Sequence, residues 1–239
     1  MKRNQSGFTL IEIAIVLVII GLLLGGVLKG QELINSAKVK NLATDFRNIP
    51  VFIYGYQDKF KALPGDDPTI GTTIPHLTGA TACGAVVAGK CNPGNGLIDG
   101  NWNDTTAASE SYIFWQQVRL AGLTTGSIDT NPATTPPAVY LPVNAAGGNI
   151  GIQSGTSSLA LTPMKDVSGA VIRGTYIICS PNILGKFAKQ LDIQLDDGNT
   201  QTGSMMAFDT STGAYAPGVS ATALTSISDA DTVTVCMGV

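Results

Sequence analysis

Between Ser6 and Leu28 the chain reads SGFTLIEIAIVLVIIGLLLGGVL, an apolar run with a single carboxylate, Glu12, near its start. From Phe8 to Leu28 Glu12 is the only ionisable side chain, and fifteen of the residues are Phe, Leu, Ile or Val. A carboxylate in such surroundings can snorkel to an interface or pair with a cation that arrives when subunits assemble. The second reading is the stronger, because ionisable groups inside a membrane are functional sites by default.

The other residues with chemical potential are few. Cys83, Cys91, Cys179 and Cys236 allow three disulfide pairings that sequence alone cannot separate. We expect Cys83–Cys91 and Cys179–Cys236. Zinc is the rival use, disfavoured by a lone histidine and the lack of a CxxC. That histidine, His76, lies between Pro75 and Leu77. No GxSxG or comparable setting supplies it with a nucleophile, so it reads as an exposed loop residue rather than a catalytic base. No P-loop or dinucleotide fingerprint occurs, and no enzyme activity is expected. Asn92, Asn95 and Asp99 form one oxygen-rich loop, and Asp192, Asp196, Asp197 and Asn199 another. Neither has EF-hand spacing, and turn-forming Asn and Asp account for both without a metal. No cofactor is expected; if calcium binds, Asp196, Asp197 and Asn199 are the candidate ligands.

The element that carries Glu12 is a helix. About 21 helical residues span roughly 31 Å, the thickness of a bilayer core. The apolar side chains contribute roughly −5 to −9 kcal/mol to insertion. A charge costs at most about 3 kcal/mol at mid-span, so the segment inserts with the glutamate in place. Lys2 and Arg3 precede it and hold the N-terminus in the cytoplasm, which sends the rest of the chain outward. Gly21 and Gly25 form a GxxxG, which is open to two readings: poor helix propensity tolerated in lipid, or close helix–helix approach.

Beyond the apolar run, Leu42, Phe46, Ile49, Ile53, Tyr56, Phe60 and Leu63 recur at alternating steps of four and three. That spacing predicts one buried stripe on a continuing helix that faces a core. Pro50 should kink it, and Leu63-Pro64-Gly65-Asp66-Asp67-Pro68 should end it. Residues 64–103 are rich in Gly, Pro, Thr and Asn and read as a long surface excursion. A second helix is predicted around Glu110–Ala121, capped by Ser109 and stopped at Gly122, with Phe114 and Trp115 in the core. Strands are predicted at Ala138–Val143, Ala170–Cys179, Ser204–Asp209 and Thr232–Met237. Ser180-Pro181 should start a short helix that carries Ile183, Leu184, Phe187 and Leu191. The sum is an α+β fold with the long N-terminal helix laid on an antiparallel sheet.

Only 13% of the 239 residues are charged and the net charge is −3. No basic patch exists to hold a polyphosphate backbone, so no nucleic acid is expected. Gly7-Phe8-Thr9-Leu10-Ile11-Glu12 resembles the prepilin processing motif of type IV pilins and type II secretion pseudopilins. Tyr56-Gln57-Asp58 with Leu63-Pro64-Gly65-Asp66, Glu110 with Trp115-Gln116 to Gly122, and Leu195-Asp196-Asp197-Gly198 resemble blocks found in larger pilin-like proteins.

The resemblance implies a pilin-like fold and cleavage by prepilin peptidase between Gly7 and Phe8. It also implies methylation of the new Phe8 amine, and pairing of Glu12 with that amine on a neighbouring subunit. The organisation expected is a cleaved leader over residues 1–7, a membrane and assembly segment over 8–28, an amphipathic helical half over 29–63, and an extracytoplasmic domain over 64–239. The implied partners are further copies in a helical filament, the prepilin peptidase, the inner-membrane assembly machinery and the membrane itself. The precursor would sit in the inner membrane as a single-pass protein. The assembled form would be an extracellular pilus-like filament. The alternatives are a periplasmic pseudopilus of a type II secretion system and a minor pilin with an adhesive outer domain. Many pilins carry a proline soon after the apolar run, where this chain has Gly26, Val27, Leu28 and Lys29. That departure keeps the pseudopilin alternative open.

Overall fold

The first helix, α1, runs from Leu10 to Phe60 and contains Pro50. The computed structural model describes residues 9–72, 75–158, 160–211, 215–223 and 225–239. Two units are distinguished, residues 1–38 and 39–239. In the first, α1 leaves its apolar side chains exposed, from Leu10 at 93% to Leu28 at 67%. In the second, the stripe read from the sequence is the buried face of the helix. Leu42, Phe46, Ile49, Ile53 and Tyr56 are all at most 2% exposed. The helix ends three residues before Leu63, at Phe60, and Lys61 takes a left-handed φ of 55°.

That face packs on a four-stranded antiparallel sheet. Its strands are β1 (Gly151–Ser154), β3 (Tyr176–Leu184), β6 (Thr232–Gly238) and β4 (Met205–Asp209), in the order β1-β3-β6-β4. Side chains alternate across the sheet, as a period of two requires. Ile178, Val233, Val235, Met205 and Ala207 join the core beneath α1. Ile177, Cys179, Met206 and Cys236 face a second cluster with Trp102 and Met164. Both faces are covered, which is why β3 from Tyr176 to Ser180 and β6 from Val233 to Met237 are buried at every residue. A separate parallel pair, β2 (Met164–Lys165) with β5 (Val219–Ser220), flanks that second cluster.

The second helix, α2, spans Glu110–Leu120. Phe114 and Trp115 lie in the core, and the helix stops at Gly122, whose φ is +78°. Ser109 holds the N-cap position, but its hydroxyl makes no cap bond. It is engaged instead by the Ser111 hydroxyl at 2.7 Å.

Three predicted elements differ from the structure. Residues 138–143 are not a strand: Pro136 and Pro137 start a one-turn helix, α3 (Pro137–Tyr140), and Tyr140 buries its ring and donates to the Tyr112 carbonyl at 3.0 Å. Proline at the first helical position is preorganised for that turn. The strand expected from Ala170 begins only at Tyr176, after Gly174 takes a φ of +155°. Ser180-Pro181 starts no helix. The register slips by one residue between Ser180 and Ile183, with Asn182 at φ 62°. Proline thus sits in a bulge, where its missing N–H costs no ladder bond, and the helix α4 follows only at Gly185–Leu195. Strand β1 was not visible in the sequence. It is four residues long and opens with Gly151, where a Cβ would stand 1.8 Å from the Trp102 carbonyl oxygen.

Candidate functional site

In the unit of residues 1–38, Glu12 is the third residue of α1 and is exposed in the single chain. Thr9 caps the helix. Its backbone N–H and its hydroxyl both donate to Glu12 Oε2 at 2.8 Å, while the Glu12 N–H donates to the Thr9 hydroxyl at 3.4 Å. This is a reciprocal capping box, a Thr-x-x-Glu pattern plain in the sequence and not read there. The carboxylate therefore already has two donors on one oxygen, and Oε1 remains to accept from a further partner. Gly21, Gly25, Gly26 and Gly30 each have open space where a Cβ would stand, so a second helix backbone could approach closely there. Lys29 and Glu32 pair at 2.6 Å just beyond the apolar run. Gly7 and Phe8, where cleavage and methylation are expected, lie outside the described residues.

In the unit of residues 39–239 the long excursion is organised by three acids that sequence reasoning passed over. Asp66 accepts the backbone N–H groups of Gly94, Asn95 and Gly96 at 2.5 to 3.1 Å. Glu110, fully buried, accepts those of Asn92 at 2.6 Å and Asp99 at 2.9 Å. Burial, with Asp66 and Asp99 nearby, pushes the Glu110 carboxyl up to about 7 against the pull of those two donors. Asp67 accepts from the Tyr56 hydroxyl at 2.8 Å and lies 2.9 Å from His76 Nδ1. Burial pushes Asp67 up, but the donors from Thr69, Tyr56 and His76 outweigh it and hold the carboxylate below its usual range.

His76 is the exposed loop residue expected from the sequence, and it is anchored there. It is tied to a buried carboxylate and stacked on Phe60 at 5.7 Å. Among the described residues no serine, threonine or cysteine bonds to its ring. The carboxylate and the aromatic face together fix the orientation of the imidazole. It stands at the edge of a cavity of about 580 Å³ with Gln57, Lys61, Asp66 and Tyr176.

Cys83 and Cys91 are disulfide-bonded within this excursion, and Cys179 and Cys236 are bonded across β3 and β6, where they are register partners. Asn95 and Asp99 hydrogen-bond each other at 2.9 Å. In the turn after α4, Asp196 and Asp197 converge with Asp192. The Asn199 side chain accepts from the Gln201 N–H at 3.2 Å.

Residues 2–28 match a family described as the prokaryotic N-terminal methylation motif. This motif is the hallmark of type IV pilins and pseudopilins. It points to a structural, membrane-anchored precursor that is processed by prepilin peptidase and assembled into a filament. No curated protein and no solved structure matches the chain.

Proposed function

We propose that the chain is a structural subunit of a type IV pilus-like extracellular filament, made after cleavage between Gly7 and Phe8. The observation that carries this reading is the methylation motif over residues 2–28 on a helix whose apolar face is exposed and holds one acid. A stripe of this kind must be covered by lipid before assembly and by like helices after it. In lipid, Glu12 keeps its two Thr9 donors. In a fibre, the methylated Phe8 amine of an adjacent subunit would reach the remaining oxygen and neutralise the charge. A wrong stagger would leave both charges buried without a partner, at about 3–5 kcal/mol, so the pair sets the register. The same steps would build a periplasmic pseudopilus; the location of the fibre separates the two machines.

Glu12→Ala tests this reading. Cleavage and membrane insertion should persist while surface fibres disappear. Normal fibre yield from that variant would refute the ion-pair role.

A further inference from the structure

We propose that the cavity between α1 and α2 binds a small aliphatic α-amino acid, with Arg119 and Trp115 serving its carboxylate and Asp45 its amino group. This inference stands apart from the filament reading and does not depend on it. The cavity measures about 170 Å³ and belongs to the unit of residues 39–239. At roughly 30 Å³ per water it has room for about five or six waters. That space is too small for a nucleotide or an oligosaccharide and is enough for a small amino acid.

Two helices build the walls. Trp115 and Arg119 are four residues apart in α2, so their side chains share one face. Asp45, Ile49 and Phe52 follow the same rule in α1, at steps of four and three. Ile150 adds to the apolar side.

A cavity alone would not point to a ligand. The decisive group is the Arg119 guanidinium. The residue is 9% exposed and permanently charged, yet among the described residues no carboxylate pairs with it. Nη1 donates to the Ser127 carbonyl at 2.6 Å, while Nε has no acceptor. Trp115, 1% exposed, also leaves its indole Nε1 without an acceptor. A buried cation and a buried donor without partners carry their desolvation cost in full. A carboxylate in the cavity removes it, and guanidinium is suited to bind one through two parallel N–H groups.

Arg119 is preorganised for that role. Its guanidinium lies over the Tyr140 ring at 4.9 Å. Gly126 lets the loop after α2 close on it, since a Cβ there would stand 2.5 Å from Nε. Asp45 supplies the opposite charge. It forms no ion pair with Arg119, and burial, with no donor to oppose it, pushes its carboxyl up to about 6. A simple anion would answer Arg119 and be repelled by Asp45, whereas a zwitterion answers both. The wall of Ile49, Phe52 and Ile150 suits an aliphatic side chain.

The test uses the full-length chain in detergent, titrated with L-valine while the heat of binding and tryptophan fluorescence are followed. One L-valine should bind saturably per chain. Isovalerate and isobutylamine keep the aliphatic part and one charge each, and both should bind at least tenfold more weakly. Asp45→Asn removes an acid that no hydrogen bond holds, so it should melt no lower than the parent at neutral pH and bind L-valine at least tenfold more weakly. Arg119→Lys keeps the charge and loses the paired N–H groups, and should also weaken binding. No saturable binding by the parent, isovalerate bound as tightly as L-valine, or unchanged L-valine affinity in Asp45→Asn would overturn the proposal.

Discussion

Glu110 anchors the long excursion to α2, and replacing it with glutamine gives a sharp prediction. Its carboxyl is pushed from 4.5 up to about 7, first by burial and then by the Asp66 and Asp99 charges. Between those two pH values the folded chain holds a proton that the unfolded chain has released. Stability from this group is therefore complete below pH 4.5 and is lost as pH rises through 7. The difference of about 2.5 in pKa corresponds to roughly 3 kcal/mol. Glu110→Gln removes the titration, while Asp45 and Asp192, both pushed up to about 6, titrate in parent and variant alike and cancel in the comparison. Both tryptophans, Trp102 and Trp115, are buried in this unit, so their fluorescence follows its melting. From pH 4.5 to pH 8 the parent should lose roughly 3 kcal/mol relative to the variant, or about 6–12 °C in Tm. Parallel pH profiles would refute the reasoning. A parent that gained relative to the variant as pH rose would show that the Asn92 and Asp99 donors, not burial, govern the group.

The two disulfides should contribute unequally. They close loops of 8 and 57 residues in sequence separation, so loop-closure entropy gives about 2.6 and about 4 kcal/mol. Melting of Cys83→Ala/Cys91→Ala and of Cys179→Ala/Cys236→Ala proteins should show the larger drop in the second, and the reverse order would contradict this. Gly151→Ala should lower the melting temperature by several degrees, because the new Cβ would collide with the Trp102 backbone carbonyl. An unchanged melt would show that β1 can shift to make room.

The helical parts of the fold were legible because their signals are local. The stripe from Leu42 to Tyr56 repeats over four turns, and each of its members is buried where the period places it. For α2, Glu110 and Gly122 mark both ends within a dozen residues. Strands β4 and β6 were legible from their short runs of β-branched and other apolar residues between turn signals. What failed was the meaning of proline. Pro181 has the same local signature whether it begins a helix or fills a bulge, and only pairing with Val235 and Val233 decides. Pro137 likewise turned an apparent strand into a helical turn around the buried Tyr140. The acid network was illegible for a different reason. Asp66 meets the amides of Gly94 to Gly96 across 28 to 30 residues of chain, and backbone donors leave no mark in side-chain chemistry. The tie between His76 and Asp67 was hidden on the same ground, since the two lie nine residues apart in a loop.

The account turns on processing of the first residues. Fibres sheared from cells and purified, with the subunit's amino terminus read by mass spectrometry, test it most directly. The account predicts N-methylated Phe8 as the first residue and no peptide that contains Met1 to Gly7. A fibre subunit that still begins at Met1 would contradict it.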